Sequence, residues 1–280
     1  MWIAGAVVEA DEARVPVLDR GFLYGDSVYE VTRTYGMKPF ALDEHFERMA
    51  ESARRIGLVL PPRAEMAAAC EQTVQAVGGE CYLRIVVTRG AGKLGLDPAL
   101  ADTPRLLVIG MPLALPDVAL YRDGADVIVA RAHRRNAPGA VDPLVKSGNY
   151  LPSVLAVAEA RARGGYEAIL LDGEGRVAEG SSSNIFIARA GRLVTPPLSA
   201  GILEGITRRH VIALARSFGI AVDELAFTPE ELAAADEAFL TSSVRGVMAI
   251  RAVDGVRLAS SPGPLSARLR AAYEDAAQAA

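Results

Sequence analysis

The chain contains few residues of the kinds that build metal centres and nucleophilic triads. Its 280 residues include two cysteines and three histidines. Cys70 and Cys81 lie in unrelated contexts, without the spacing of metal ligands. The histidines at positions 45, 133 and 210 are far apart in sequence. We therefore expect reduced thiols and no metal, and the sequence does not support a zinc site or a Ser/His/Asp triad.

Long apolar runs and strong basic charge are also missing. The run "LLVIGMPLALP" is shorter than a bilayer span and is broken by proline. No basic segment precedes an apolar stretch at the N-terminus, so we expect no signal peptide. The net charge is −4 and the pI about 5.6, which does not favour nucleic acid or an anionic membrane as a partner. A cytoplasmic protein is the simplest expectation.

Lysine is scarce in a chain that otherwise uses arginine. Of the 30 Lys and Arg residues, lysine occupies only positions 38, 93 and 146. Arginine cannot be deprotonated in a protein, whereas a partly desolvated lysine can lose its proton and attack a carbonyl. Lys146, in "DPLVKSGNYL", is therefore a candidate nucleophile, with an ordinary surface lysine as the alternative. Lys38 and Lys93 are interpreted as surface residues.

The abundant features predict an α+β chain of two domains. The stretch "SVYEVTRTYGMKPFAL" alternates apolar and polar residues and predicts a hairpin, and "DEHFERMAESARRIGL" has helical spacing with Asp43 as N-cap. The segment "PLALPDVALYRDG" has two prolines and no clear period, which is typical of a linker. We predict a small N-terminal domain over 1–114, a linker over 115–122 and a larger cofactor-binding domain over 123–280.

The second half alternates strands and helices. We predict a proline- and glycine-rich loop through Pro143, a helix from about Tyr150 to Arg163, and a helix that begins near Ile206 and ends at Gly219. The predicted strands between and after them are "EAILLD", "RVAEG", "NIFIARAG", "RLVTPP" and "EAFLTSS".

Several residues could accompany a reactive lysine. If a helix starts near Tyr150, that phenol lies about one turn from Lys146. Glu179 is an isolated acid in "VAEGSSSNIF". It is either an exposed carboxylate at a strand end or a ligand for a protonated ring nitrogen or a metal. Both interpretations stay open on the local sequence alone.

Three segments could bind an anion. Gly205, Ile206 and Thr207 open a predicted helix, where free N–H groups and a hydroxyl suit phosphate. Thr241–Ser243 end a predicted strand with small hydroxyl residues. Arg48 lies on a helix with an apolar face and is either a surface arginine or a phosphate partner.

Arg84 and Arg89 would lie on opposite faces of a strand, where one could meet a substrate carboxylate. A lysine, a carboxylate for a ring nitrogen and phosphate donors together match the needs of pyridoxal 5'-phosphate.

At this point the sequence resembles the class IV aminotransferases, which are pyridoxal-phosphate enzymes of fold type IV. That family includes branched-chain aminotransferases, D-amino acid aminotransferases and aminodeoxychorismate lyase. The resemblance implies a small N-terminal α/β domain and a larger domain with a β-barrel-like core. It extends over nearly the whole chain, through "DRGFLYGDSVYEVTRTYG", "HFERMAESARRIGL", "VTRGAGKLGLDP", "KSGNYLPSVLAVAEAR", "LLDGEGRVAEGSSSNIF", "GILEGITRRHVI" and "FLTSSVRGVMAIRAVDG".

The resemblance also implies residue roles. Lys146 would form the internal aldimine and shuttle a proton, and Glu179 would pair with the pyridine nitrogen. Tyr150 would hydrogen-bond the phenolic oxygen, and Leu203 would pack against the ring. The phosphate would be bound by Arg48, Gly205, Ile206, Thr207, Ser242 and Ser243. The residues implied at the substrate are Tyr29, Val31, Arg33, Arg89, Val244 and Arg245, with Tyr24 from the partner subunit of a homodimer.

The implied activity is ping-pong transamination between an amino acid and a 2-oxo acid such as 2-oxoglutarate or pyruvate, with pyridoxamine 5'-phosphate formed in the half-reaction. The donor is a branched-chain L-amino acid or a D-amino acid, because the motifs are mixed. "GKLGLDP" resembles the branched-chain enzymes and "VTRG" the D-amino acid enzymes. Three alternatives remain: aminodeoxychorismate lyase, (R)-amine transaminase, and a non-catalytic binding protein. The presence of both Lys146 and Glu179 argues against the last.

Overall fold

The computed structural model describes residues 1–135 and 142–280. Part of the loop predicted before Pro143 lies outside these ranges. The chain divides into two compact units. The first contains Met1–Ala114, Val145–Asn149 and Ala280, and the second contains Leu115–Leu144 and Tyr150–Ala279 apart from the undescribed positions. The domain bounds predicted from the sequence stay a prediction.

The first unit is built on a six-stranded sheet with the order β2-β1-β6-β5-β3-β4. Its strands are β1 (Trp2–Ile3), β2 (Ala6–Val7), β3 (Ser27–Tyr35), β4 (Lys38–Pro39), β5 (Cys81–Thr88) and β6 (Arg105–Pro112). Its helices are α1 (Arg20–Tyr24), α2 (Leu42–Arg55) and α3 (Arg63–Val77). All strand pairings within this sheet are antiparallel. The hairpin predicted from "SVYEVTRTYGMKPFAL" is confirmed as β3 and β4.

Helices α2 and α3 supply the apolar side chains that cover this sheet. Phe46 and Met49 of α2 and Val74 of α3 pack with Leu83 and Ile85 of β5 in one buried cluster. Each fully buried aliphatic side chain of this kind contributes roughly 1.5–3 kcal/mol relative to an exposed one. The helix predicted around Phe46 is therefore confirmed, and its amphipathic face explains its position. Cys70 and Cys81 are unpaired and buried in the same cluster.

The predicted N-cap of α2 is wrong. The helix already includes Leu42, so Asp43 lies in its first turn rather than before it. The residue at the cap is Ala41, which has a left-handed φ of 50° and makes no side-chain cap hydrogen bond. Asp43 still favours the helix start, because a carboxylate in the first turn interacts well with the helix dipole.

The second unit contains a nine-stranded sheet with the order β12-β11-β10-β13-β14-β7-β8-β9, and a ninth strand, β15, pairs with β14. Its strands are β7 (Ala125–Arg134), β8 (Glu167–Leu171), β9 (Val177–Gly180), β10 (Asn184–Arg189), β11 (Arg192–Thr195), β12 (Val222–Glu224), β13 (Glu237–Ser242), β14 (Gly246–Val253) and β15 (Val256–Arg257). Its helices are α4 (Val118–Asp123), α5 (Leu151–Ala162), α6 (Ile206–Ser217), α7 (Pro229–Ala233) and α8 (Pro264–Ala279). Short 3-10 helices occupy Pro98–Leu100 in the first unit and Leu198–Ala200 in the second.

Helices pack on this sheet and position the segments that concern function. Helix α5 lies against β7 and β8, and α6 contacts β13 and α8. The predicted helices near Tyr150 and Ile206 are confirmed as α5 and α6. Helix α4 overlaps the segment predicted as a linker, and Asp117 caps it by accepting from the Ala119 N–H at 2.8 Å. Across residues 1–135 and 142–280, none of the helices has the length and apolar character that crossing a bilayer requires.

Candidate active site

The residues predicted to act on cofactor or substrate fall into two groups, one in each unit. The first group contains Lys146, Arg48, Arg89 and the β3 residues Tyr29, Val31 and Arg33. The second group contains Glu179, Tyr150, Leu203, the start of α6 and the end of β13.

The main chain of Lys146 is fixed by both β3 and α2. Its carbonyl accepts from the Tyr29 N–H at 3.0 Å, and its own N–H donates to the Ser52 hydroxyl at 3.2 Å. The next residue, Ser147, forms an isolated bridge with Val28. Because these contacts hold the backbone at Lys146 and Ser147, the position from which the Lys146 side chain extends is fixed. Its Nζ lies 4.5 Å from the centroid of the Tyr29 ring.

Strand β3 divides its residues between two faces. Side chains alternate along a strand, so Tyr29, Val31 and Arg33 share one face, and Glu30 and Thr32 share the other. The Tyr29 ring contacts two basic side chains. The Arg84 guanidinium carbon lies 4.1 Å from the ring centroid, and Lys146 contacts the same ring. The predicted substrate residues of β3 are therefore on the face that carries the lysine. Their role at the substrate stays a prediction.

The opposite face of β3 carries a buried ionic network that the sequence analysis missed. Glu30 is fully buried and accepts from Arg48 Nε at 2.8 Å and from Arg48 Nη2 at 2.6 Å. It also bonds His45 Nδ1 at 2.7 Å. Burial raises the pKa of Glu30, but the charge and hydrogen bonds of Arg48, with a smaller contribution from His45, outweigh it and hold the pKa below its usual range. Glu30 is thus a carboxylate that fixes the Arg48 guanidinium.

His45 is neutral within this network. Burial lowers its pKa, and this effect outweighs the stabilising contribution of Glu30. A carboxylate at 2.7 Å requires a proton on Nδ1, so Nε2 carries the lone pair. Among the residues that the structure describes, Nε2 is buried and has no hydrogen-bond partner. The charge of Glu30 is therefore balanced by Arg48 rather than by His45.

Glu30→Gln is expected to lower the free energy of unfolding of the cofactor-free protein by roughly 3–5 kcal/mol, because it leaves the largely buried Arg48 without this counter-charge. The folded-state pKa of Glu30 is depressed. The stabilisation is therefore complete above the unfolded-state value of about 4.3 and is lost as the pH falls towards the lower folded-state value. Urea unfolding at several pH values measures both effects.

Glu51→Gln is a matched control on the same helix. Glu51 pairs with Arg54 and Arg55, but this carboxylate is largely exposed, so its removal is expected to change stability little. A loss for Glu30→Gln no larger than that for Glu51→Gln would contradict the structural role given to the network.

Arg89 is engaged at all three guanidinium nitrogens. Nε donates to Asp26 at 2.8 Å, Nη1 to the Gly57 carbonyl at 2.8 Å, and Nη2 to the Ile56 carbonyl at 2.9 Å. The two carbonyls follow the C-terminus of α2, so Arg89 caps that helix end. These contacts support a structural role, and the role of Arg89 at a substrate carboxylate stays a prediction. Tyr24, predicted to act across a dimer, accepts from the Gly95 N–H at 3.3 Å.

In the second unit, donors surround the Glu179 carboxylate. Oε1 lies 2.9 Å from Arg135 Nε, and Oε2 accepts from the Leu203 N–H at 3.0 Å and from Asn184 Nδ2 at 3.3 Å. Glu179 is 6% exposed on β9. The ion pair with Arg135 and the two hydrogen bonds each favour the charged form of this buried carboxylate. Of the two interpretations left open for Glu179, the exposed strand-end carboxylate is wrong.

The start of α6 is an uncapped helix N-terminus. Gly205 occupies the N-cap position with an extended backbone and, having no side chain, supplies no cap hydrogen bond. Ile206 and Thr207 follow and are buried. Thr207 Oγ1 lies 3.2 Å from the Tyr273 hydroxyl, which places the threonine hydroxyl in a polar contact with α8. The first-turn N–H groups of such a helix favour an anion.

The end of β13 carries a buried threonine hydroxyl. Thr241 Oγ1 is buried and has no partner within the described part of the chain. The neighbouring Ser242 Oγ accepts from Arg245 Nε at 3.1 Å. Arg245 also pairs with Glu167 and donates to Ser182 Oγ at 3.0 Å. The Arg245 side chain therefore links three segments of the second unit. That Val244 and Arg245 line a pocket for the substrate carboxylate stays a prediction.

Residues 27–253 match the family described as amino-transferase class IV. The chain belongs to the class IV aminotransferases. Its motif-based resemblance to this family is thereby confirmed. A solved branched-chain aminotransferase from Thermoproteus uzoniensis with norvaline has a TM-score of 0.91 and 37% identity, covering 99% of this chain and 94% of that one.

Two further relatives are a branched-chain aminotransferase and a D-alanine aminotransferase. A solved T.th. branched-chain amino acid aminotransferase, complexed with N-(5'-phosphopyridoxyl)-L-glutamate, has a TM-score of 0.91 and 33% identity, covering 99% of this chain and 93% of that one. The D-alanine aminotransferase of Bacillus licheniformis is 34% identical, over 97% of this chain and 94% of its own length. These likenesses confirm the predicted α+β fold class and the aminotransferase activity.

Within this aminotransferase, several residues that contact predicted site residues were not found from the sequence. Among them are Glu30, which binds Arg48 and His45 in the first unit, and Arg135 and Asn184, which bind Glu179 in the second. The sequence pattern gave no signal for Glu30, because a polar residue at an alternating strand position usually faces solvent. No local pattern marks Arg135, since arginine is common throughout the chain. Asn184 stands at the end of "GSSSN", where a polar residue is typical of an ordinary turn.

Proposed function

We propose that this aminotransferase transfers the amino group of a branched-chain L-amino acid to a 2-oxo acid such as 2-oxoglutarate, in a ping-pong reaction with pyridoxal 5'-phosphate. When bound, this cofactor supplies an aldehyde that takes up the amino group and a ring that accepts electrons from the substrate α-carbon. The proposal extends to a cytoplasmic homodimer. The observation that carries it is the buried, ion-paired Glu179, which accepts from the Leu203 N–H in the segment that leads into the N-terminus of α6.

The residues present fit the cofactor. Glu179 is the kind of carboxylate that keeps a pyridine nitrogen protonated, and Leu203 donates to it from the segment that leads into α6. The N–H groups at Ile206 and Thr207 and the hydroxyl of Thr241 offer donors that suit a phosphate. The assignment of Arg48, Ser242 and Ser243 to the phosphate and of Tyr150 to the phenolic oxygen is part of the same proposal.

Lys146 is proposed to attach the cofactor and then to move the proton at the substrate α-carbon through its Nζ. The supporting geometry is a lysine whose backbone is held by Tyr29 and Ser52 and whose amine lies over the Tyr29 ring.

The choice of a branched-chain L-amino acid is supported by two solved relatives and by the contacts of Arg89. The T.th. and T. uzoniensis relatives are branched-chain aminotransferases by name. If a D-amino acid carboxylate were to bind Arg89, it would compete with three existing acceptors, Asp26 and the carbonyls of Ile56 and Gly57. A substrate carboxylate at Arg89 would therefore require rearrangement of the first unit, which argues against the D-amino acid assignment drawn from "VTRG".

The test is a donor panel at a fixed concentration of 2-oxoglutarate. L-leucine, L-valine and L-isoleucine are expected to exceed D-alanine, D-glutamate and (R)-1-phenylethylamine in kcat/KM by at least about tenfold, which corresponds to roughly 1.4 kcal/mol of transition-state discrimination. Parallel assays replace 2-oxoglutarate with pyruvate and follow pyruvate release from aminodeoxychorismate. Faster turnover of D-alanine would reverse the stereochemical assignment, and pyruvate release without amine transfer would favour the lyase.

A further inference from the structure

Asn184 connects two parts of the second unit that the proposed function assigns to the cofactor. Its Nδ2 donates to the Leu203 carbonyl at 2.9 Å and to Glu179 Oε2 at 3.3 Å. The Leu203 N–H donates to the same Glu179 oxygen at 3.0 Å. One amide group therefore ties the carboxylate on β9 to the segment that enters α6.

The orientation of this amide follows from its neighbours. Both contacts of Nδ2 are with oxygen acceptors, so exchanging the nitrogen and oxygen would place Oδ1 against two oxygens. Asn184 is 5% exposed at the first position of β10, directly opposite Thr241 of β13. Pairing with β13 thus fixes its backbone, and its buried side chain has little freedom to turn away.

Gly205 lies against the Asn184 side chain and leaves room for it. A Cβ at position 205 would lie 1.9 Å from Asn184 Oδ1, which is shorter than any allowed contact. The φ of Gly205 is −72°, which any residue can adopt, so the need for glycine here is spatial and comes from the asparagine. Beyond Asn184, the nearest atom to this Cβ is Arg208 Cβ at 3.3 Å.

We infer that Asn184 is a positioning residue that couples the Glu179 carboxylate to the N-terminus of α6, and that Gly205 is required because it makes room for that amide. The inference rests on the proposed function, in which Glu179 binds the ring nitrogen and α6 the phosphate. Asn184 acts through Glu179 and Leu203 rather than on the reacting atoms. It sets the geometry between the two groups that bind the ends of the cofactor.

The experiment titrates cofactor-free protein with pyridoxal 5'-phosphate and measures the dissociation constant. Asn184→Ala is expected to raise it at least about tenfold, because two hydrogen bonds that fix Glu179 and Leu203 are lost. Gly205→Ala is expected to raise it similarly in the wild-type background but less than about threefold further in the Asn184→Ala background, where the obstructing Oδ1 is gone.

Asn184→Asp adds a readout that a purely structural role would not move. It keeps the shape of the side chain but sets a second carboxyl group against Glu179, which raises the pKa of both groups. The new carboxyl group can donate to Glu179 only when it is protonated, and protonation requires low pH. The ratio of the variant's dissociation constant to that of the wild type should therefore fall as the pH falls. The thermal midpoint of each cofactor-free variant reports folding separately.

Gln72→Ala serves as the control, since that amide accepts from Trp2 Nε1 in the first unit and is expected to leave cofactor affinity unchanged. The inference is overturned if Asn184→Ala binds the cofactor within twofold of the wild type, if Gly205→Ala is equally harmful in both backgrounds, or if the Asn184→Asp ratio does not depend on pH. A wild-type chain that does not bind pyridoxal 5'-phosphate would overturn the proposed function and this inference with it.

Discussion

Replacing Lys146 with arginine is expected to abolish amine transfer, with kcat reduced by about 10³-fold or more. Arginine keeps the positive charge that lies over the Tyr29 ring, but it cannot release a proton at any working pH. The substitution therefore separates charge from proton transfer. Lys146→Ala removes both and is expected to be equally inactive. Steady-state kinetics with L-leucine and 2-oxoglutarate measure the loss.

The scarcity of lysine makes the attachment point testable directly. The chain has three lysines, and Lys38 and Lys93 are matched controls that are expected to tolerate arginine with little change in rate. Borohydride reduction of the cofactor-loaded enzyme, followed by mass mapping of peptides, is expected to place the added mass on Lys146. Mass on either other lysine, or an active Lys146→Arg enzyme, would refute the role proposed for this residue.

The segment around Lys146 shows what could and could not be predicted from the sequence. An unusual lysine in an arginine-rich chain could be found by composition, and family motifs gave it a role. The sequence could not predict that its backbone would be held by the Tyr29 N–H and the Ser52 hydroxyl. Those partners are about a hundred residues away along the chain, and local periodicity contains no information about such distant contacts.

In strand β3, the sequence pattern does not predict which face is buried. Its alternation correctly predicts a strand, but the polar residues Glu30 and Thr32 are on a fully buried face. Polar residues at alternating positions usually face solvent, so the pattern alone favours the opposite assignment. The burial of Glu30 depends on Arg48 and His45 of α2, which satisfy its charge and hydrogen bonds. A tertiary partner therefore decides which face is buried.

In the second unit, the sequence located Glu179 and the start of α6 but not the atoms that connect them. Gly205 was predicted to open a helix whose free N–H groups suit a phosphate. The structure gives a reason for glycine at this position, since the side chain of Asn184 occupies the space that a Cβ would need. Arg135 and Asn184 come from separate segments, and only their convergence on one carboxylate reveals their importance.

Glu179→Gln is expected to reduce kcat by about 10²–10³-fold while the protein stays folded. A neutral amide cannot balance Arg135, whose Nε lies 2.9 Å from the carboxylate, and it cannot hold a proton on a ring nitrogen. Glu179→Asp keeps the charge but shortens the side chain, so we expect an intermediate loss. The visible spectrum of the loaded variants, followed with pH, reports the state of the ring nitrogen independently of turnover.

Burial alone does not explain such a loss, and Glu237 provides the comparison. This carboxylate is 5% exposed in the same unit and accepts from the Leu265 and Ser266 N–H groups at the start of α8. Glu237→Gln weakens those bonds, so we expect lower stability with a kcat per folded molecule close to that of the wild type. Equal losses of kcat in the two variants would mean that Glu179 acts through folding. A loss confined to Glu179→Gln would tie its charge to the chemistry, because the two carboxylates differ in what they face rather than in how deeply they are buried.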